Sequence, residues 1–237
     1  MQEKLRVVAV GAHPDDLEIL CAGTLAKYRE LGHHVTMVYV TNGNMGHMTI
    51  QPPELAKIRQ EEARRSTRII GADFIWLDYP DEWVFHDMDT RLKFIDTIRQ
   101  AKPGVIITHC PNDYHPDHKA VSDLIFAASF LSSVPNIKTP HEAYPKVVPI
   151  YYMDTLAGVD FLPTEYVDIS DTLETKKEML ACHQSQVKWL MEHDKIDIID
   201  FVGTVAKFRG LQCGVSYAEG FRKFDGWPRN VTKRFLP

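Results

Sequence analysis

The feature that most limits the fold is an alternation, up to about residue 125, of short apolar runs with longer stretches of helical spacing. Leu5–Val10 and Val35–Val40 are β-branched runs of strand length; between them Leu17, Leu20, Cys21, Thr24, Leu25, Tyr28 and Leu31 recur at helical spacing, with Gly32 as the stop. Pro52-Pro53-Glu54 opens a helix that continues to about Ile70, and Gly71 closes it. Phe74–Leu77 reads as a third strand, Asp89–Ala101 as a helix, Val105–Thr108 as a fourth strand and Asp117–Leu131 as the helix after it. Such alternation predicts an α/β fold with a mostly parallel sheet and helices on both faces. From about residue 150 the pattern is less regular. Pro149–Met153 and Val167–Ile169 fit short strands. A helix from Leu173 to about Gln186 has Ser170 or Asp171 as its expected cap, and another spans Ile199–Arg209. With no repeat, low-complexity tract or linker, residues 1–237 read as a single domain.

A chain of 237 residues, 44% hydrophobic, can bury one sizeable core. Its net charge of −5 argues against nucleic acid or an anionic membrane surface as the main partner. No run of apolar residues is long enough to span a bilayer, and no signal-peptide pattern precedes the first strand. Cys21, Cys110, Cys182 and Cys213 lie far apart with no CxxC spacing, which suits reduced thiols in a cytoplasmic protein.

Two motifs carry chemistry. Ala12-His13-Pro14-Asp15-Asp16 follows the first strand, and His115-Pro116-Asp117-His118 follows the fourth. Open α/β sheets bind ligands at the carboxyl ends of their strands. His13 and Asp16, three apart across a strand-to-helix turn, can face one ion, and His118 can supply a third ligand. Asp15 then lies close to a bound water as a general base. His115, as a cation, can stabilise an oxyanion or protonate a leaving amine, with Asp117 orienting it through its other ring nitrogen. Each motif alone also fits a plainer role, since aspartates before helices are common N-caps. A His–Asp–His set leaves coordination positions open, the catalytic pattern for zinc, and suits hydrolysis of an amide or ester.

At these residues the chain resembles the PIG-L/LmbE family of metal-dependent N-acetylglucosaminyl de-N-acetylases. The resemblance runs through Ala12–Glu18 and Tyr114–His118. It continues in Ala22–Ala26, Thr41-Asn42-Gly43, Arg59 with Glu62, Val167–Ser170 and Tyr217–Phe221. It implies a Rossmann-like fold with His13, Asp16 and His118 as metal ligands, Asp15 as base, His115 as electrostatic or acid partner and Asp117 orienting His115. It further implies Arg59 and Asp81 as substrate contacts, and zinc as the metal, with Fe(II) or Co(II) also accommodated. The implied partner is a small-molecule N-acetyl amino sugar conjugate, and the implied assembly a homo-oligomer, trimer or hexamer.

Three other readings compete. One keeps the site and changes the substrate to another amide. Another is a non-catalytic sugar-binding relative, against which Asp15 and His115 both argue. A third, a dinucleotide-binding module, fails at the first turn, where Gly11-Ala12-His13-Pro14-Asp15-Asp16 replaces GxGxxG and its acids would repel a pyrophosphate. Specificity is expected in the loops at Asn42–Gln51, Tyr79–Met88 and Ser132–Val148. His109 reads as a residue that closes its strand.

Overall fold

A computed structural model of the chain describes residues 4–229. Val7, Val8, Ala9 and Val10 are all fully buried, because β1 (Arg6–Gly11) lies inside the sheet with both faces covered. Val7 and Ala9 pack with Leu17, Leu25, Tyr28, Ala63 and Met179 on one face; Val8 and Val10 pack with Phe94, Ile98, Val121 and Leu124 on the other. The period-two alternation of the strand thus feeds two separate cores.

The chain continues through α1 (Asp16–Leu20), α2 (Ala22–Glu30), β2 (His34–Thr41), α3 (Pro52–Ile69), β3 (Asp73–Tyr79), α4 (Met88–Ala101), β4 (Val105–Thr108) and α5 (Pro116–Leu131). Then come β5 (Ile150–Met153), β6 (Glu165–Asp168), α6 (Leu173–Ala181), α7 (Gln184–His193), α8 (Ile198–Cys213) and β7 (Ala218–Lys223). The strands form one seven-stranded sheet in the order β3-β2-β1-β4-β5-β7-β6. β1 pairs in parallel with β2 on one side and β4 on the other, with Val8 opposite both Thr36 and Ile106. β7 runs antiparallel to β5 and β6, so the less regular last third completes the same sheet. The strand order reverses at β1 and β4, so the turns that leave their carboxyl ends flank a crevice. Both motifs occupy those two turns.

The differences from expectation have tertiary causes. The helix expected over Leu17–Leu31 breaks at Cys21 (φ −147°), and a new helix starts at Ala22. Its first amides, Gly23 N–H and Thr24 N–H, donate to Glu219 from β7, a partner local spacing cannot reveal. The helix expected over Leu173–Gln186 breaks after Ala181, where His183 turns into the interior. Its start is Thr172, not Ser170 or Asp171, and the Thr172 hydroxyl donates to Gly23 O instead of capping. The Ser132–Val148 segment lies at the opposite edge of the sheet from the motifs, because it follows α5 and feeds the start of β5. Buried Arg99 donates to Ser132 O, Val134 O and Ile137 O, and Tyr144 Oη donates to Pro103 O. It therefore shapes nothing at the motif edge; the loop after β5 takes that place with Leu156.

Candidate metal-hydrolase site

The β1–α1 turn is tightly held. Asp16 Oδ2 accepts the His13 backbone N–H at 2.6 Å, which folds the carboxylate back over the turn. Ala12 N–H donates to His109 Nε2 at 2.9 Å, joining the ends of β1 and β4. Asp15 sits at φ 123°, a backbone region that L side chains rarely adopt. That strain swings its carboxylate away from Asp16 and toward α3.

His13, Asp16 and His118 come together. His13 Nδ1 lies 3.3 Å from Asp16 Oδ2, His118 Nε2 lies 3.3 Å from Asp16 Oδ1, and the two ring nitrogens are 3.3 Å apart. Zinc bonds of about 2.0 Å in a tetrahedron set ligand atoms about 3.3 Å apart, so this donor set fits a small divalent cation. The electrostatics agree. Burial opposes charge on both rings, yet Asp16, with Asp117 for His13 and Asp113 for His118, holds their pKa values up to about 10 and about 9. Burial likewise opposes charge on Asp16, but His118, His109 and His13 outweigh it and keep the carboxyl well below its usual range. The pocket thus favours positive charge at its centre.

Asp15 and His115 flank this centre. Burial, reinforced by Asp16 and opposed by Arg59, raises the Asp15 pKa to about 6. His115 Nδ1 accepts the Asp117 backbone N–H at 3.3 Å, so the ring hydrogen belongs on Nε2, which faces Glu82 Oε1 at 3.4 Å. Burial, then His13 and His118, lowers the His115 pKa, which disfavours the cation expected from sequence. His13, Asp15, Asp16, His115 and His118 line a cavity of about 370 Å³ with Tyr114 and Gln186.

Three residues expected at the site make contacts that the sequence did not specify, and for Asp117 the contact differs from the one expected. The Asp117 carboxylate does not meet His115: its Oδ2 lies 3.2 Å from His13 Nε2 and accepts Glu82 N–H at 2.8 Å. The helix start brings Asp117's backbone, not its side chain, to His115. Arg59 lines the cavity but is only 3% exposed, and its guanidinium is engaged with Pro14 O, Gly43 O and Asp15 Oδ2. It is placed to hold Asp15 more than to reach a substrate hydroxyl. Asp81 lines the cavity, and its carboxylate accepts Gly43 N–H and Met45 N–H, bracing the loop after β2.

Sequence reasoning missed others. His109, stacked on His118 with ring centroids 3.9 Å apart, links the two motifs; burial and His118 push its pKa down to about 4. Asp113 meets His118, Glu82 meets His115, and Gln186 donates to Gly46 O at the cavity rim. Nothing in local spacing marks these residues. Only the nearness of His109 and Asp113 to the second motif offered a signal.

With this geometry in hand, the family model for PIG-L, GlcNAc-PI de-N-acetylase, matches residues 8–129, just over half of the chain. The protein belongs to the PIG-L family. Among PIG-L relatives, the diacetylchitobiose deacetylase of Thermococcus kodakarensis is 30% identical over 93% of this chain and 84% of its own. The mycothiol S-conjugate amidase of Streptomyces coelicolor is 28% identical over 61% of this chain and 58% of its own. In structure, the PIG-L chain superposes on the N,N'-diacetylchitobiose deacetylase of Pyrococcus horikoshii with a TM-score of 0.80 and 29% identity, covering 92% of this chain and 83% of that one. The 4-carboxy-2-hydroxymuconate hydratase GalB of Pseudomonas putida shares the fold at a TM-score of 0.81 and 23% identity, over 97% of this chain and 99% of that one.

Proposed function

We propose that the protein is a metal-dependent hydrolase that removes acetyl from an N-acetylated amino sugar of the N-acetylglucosamine type. The observation that carries the reading is the His13–Asp16–His118 donor set, with 3.3 Å from His13 Nδ1 to Asp16 Oδ2, from His118 Nε2 to Asp16 Oδ1 and between the two ring nitrogens, and with Asp15 and His115 beside it in the same cavity. Two relatives named as diacetylchitobiose deacetylases support the substrate class.

Two imidazoles and a carboxylate suit zinc, and Fe(II) or Co(II) as well. A metal bound there would acidify water and polarise the acetyl carbonyl. The rest is the work of this chain's side chains. Asp15, with a pKa of about 6, is largely ionised at neutral pH and accepts a proton from the attacking water. Arg59 keeps that carboxylate aimed into the cavity. His115 Nε2–H donates a hydrogen bond to the developing oxyanion or the leaving nitrogen. Hydrolysis breaks the C–N bond: acetate keeps the water oxygen, the proton that Asp15 took from water passes to the leaving nitrogen, and the sugar leaves as an amine. Asp117 orients His13 in this reading.

A second reading keeps the site and takes another amide, which the relative named as an amidase favours. The expected trimer or hexamer remains part of the proposal, with sedimentation as its test. The cytoplasmic location also remains a proposal; among the described residues no helix is long and apolar enough to cross a membrane.

The test is free-amine release from a panel of N-acetylglucosamine conjugates, with metal content measured alongside. Chelation should abolish release, and added zinc, cobalt or ferrous ion should restore it. Asp15→Asn should keep its metal and lose about 10²–10⁴-fold in turnover. Release that is indifferent to chelation would overturn the metal reading. Failure on every sugar, with activity on simple amides, would favour the second.

A further inference from the structure

We propose that Asp113 is a positioning residue of the metal centre, which fixes His118 with its hydrogen on Nδ1 so that Nε2 faces the ion. The inference rests on the reading of His118 as a ligand and extends it to a residue outside the two motifs.

The Asp113 side chain is fully buried, and Oδ2 lies 3.0 Å from His118 Nδ1. An ionised carboxylate only accepts, so Nδ1 must be the donor. That leaves the Nε2 lone pair toward Asp16 Oδ1 and His13 Nδ1, each 3.3 Å away. Asp113 Oδ1 accepts the His115 backbone N–H at 2.9 Å, and Asp113 N–H donates to Cys110 O at 3.1 Å. One carboxylate therefore holds a ligand ring with one oxygen and the backbone of the cavity's donor histidine with the other.

His13 has a matching arrangement with the opposite sense. Asp117 Oδ2 lies 3.2 Å from its Nε2, which leaves Nδ1 for the ion. The two rings use different nitrogens because Asp117 engages Nε2 of His13 and Asp113 engages Nδ1 of His118. Metal-ligating histidines gain basicity and a defined orientation from such partners, and losing one costs roughly 10–100-fold in metal affinity.

A plain loop brace would explain the His115 contact without any effect on His118, and the test separates the two. Zinc-loaded protein with ¹⁵N-labelled histidine is examined by long-range ¹H–¹⁵N correlation, and zinc affinity is measured by chelator competition in wild type and Asp113→Asn. The expected result is His118 coordinated through Nε2 with a slowly exchanging Nδ1–H. Asp113→Asn should bind zinc about 10–100-fold more weakly and exchange that hydrogen faster, while the melting temperature of the zinc-free protein stays close to wild type. Coordination of His118 through Nδ1 in wild type overturns the proposal without recourse to a variant. So does an Asp113→Asn affinity within about twofold of wild type, with the Nδ1–H signal unchanged. A wild-type protein that binds no zinc at this cluster overturns the metal reading as well, which is a different result from zinc bound normally in both proteins.

Discussion

At the scale of single residues, the proposed mechanism makes turnover depend on the pair Asp15 and Arg59. Arg59 Nη2 lies 3.2 Å from Asp15 Oδ2, and its charge opposes the rise that burial imposes on the Asp15 pKa. Arg59→Gln removes that opposition. The acid limb of kcat/KM should therefore move to higher pH, with a fall in kcat, in a pH–rate profile; an unmoved limb would detach Arg59 from Asp15. Beneath this pair, Glu18 accepts Tyr39 Oη–H at 2.7 Å and Ser66 Oγ–H at 2.5 Å and lies 3.3 Å from His183 Nε2. Burial opposes both charges, but the partners prevail: His183 lowers the Glu18 pKa below 4.5, and Glu18 raises that of His183 above 6.5. A lowered carboxylate stabilises the fold above pH 4.5 and loses that contribution as pH falls. A raised histidine stabilises below pH 6.5 and loses it as pH rises through its folded value. The pair thus favours the native state most between pH 4.5 and 6.5. Glu18→Gln should flatten that dependence in urea unfolding and cost about 3 kcal/mol within the window.

At the scale of elements, the loop after β2 is shaped by what passes beneath it. Gly43 has φ +69°, and a Cβ at that position would overlap the Arg59 side chain. Asp81 holds the same loop through Gly43 N–H and Met45 N–H. Gly43→Ala should cost about 1–2 kcal/mol in thermal unfolding and also depress turnover, because Arg59 must give way and Asp15 with it. Turnover equal to wild type would show that Arg59 keeps its place. Strand and helix positions were largely legible in the chain, since β1, β4 and α3 follow from apolar period and Pro–Gly punctuation. The helix breaks at Cys21 and Cys182 were not. Glu219 caps the first from a distant strand, and burial of His183 beside Glu18 accompanies the second.

At the scale of the whole molecule, Glu219 ties the end of the chain to its beginning. From β7 it accepts Gly23 N–H at 3.0 Å, Thr24 N–H at 2.7 Å and Lys176 Nζ at 2.5 Å, all in the interior. Glu219→Ala strands a buried lysine and uncaps α2, so unfolding in urea should lose about 3–5 kcal/mol. A loss under about 1 kcal/mol would mean that solvent reaches Lys176. The sequence alone determined the fold class and brought forward the residues proposed as metal donors. Apolar period and the placement of His13, Asp16 and His118 after strands are properties of local chain order. The tertiary structure alone decided how those donors are served: Asp117 meets His13 and not His115, Asp113 meets His118, Arg59 meets Asp15, and Ser132–Val148 lies at the far edge. The reason is one of distance. A hydrogen bond is made or lost within about 1 Å, and which carboxylate reaches which ring depends on how β1, β4 and the helix starts sit beside one another, not on their spacing along the chain.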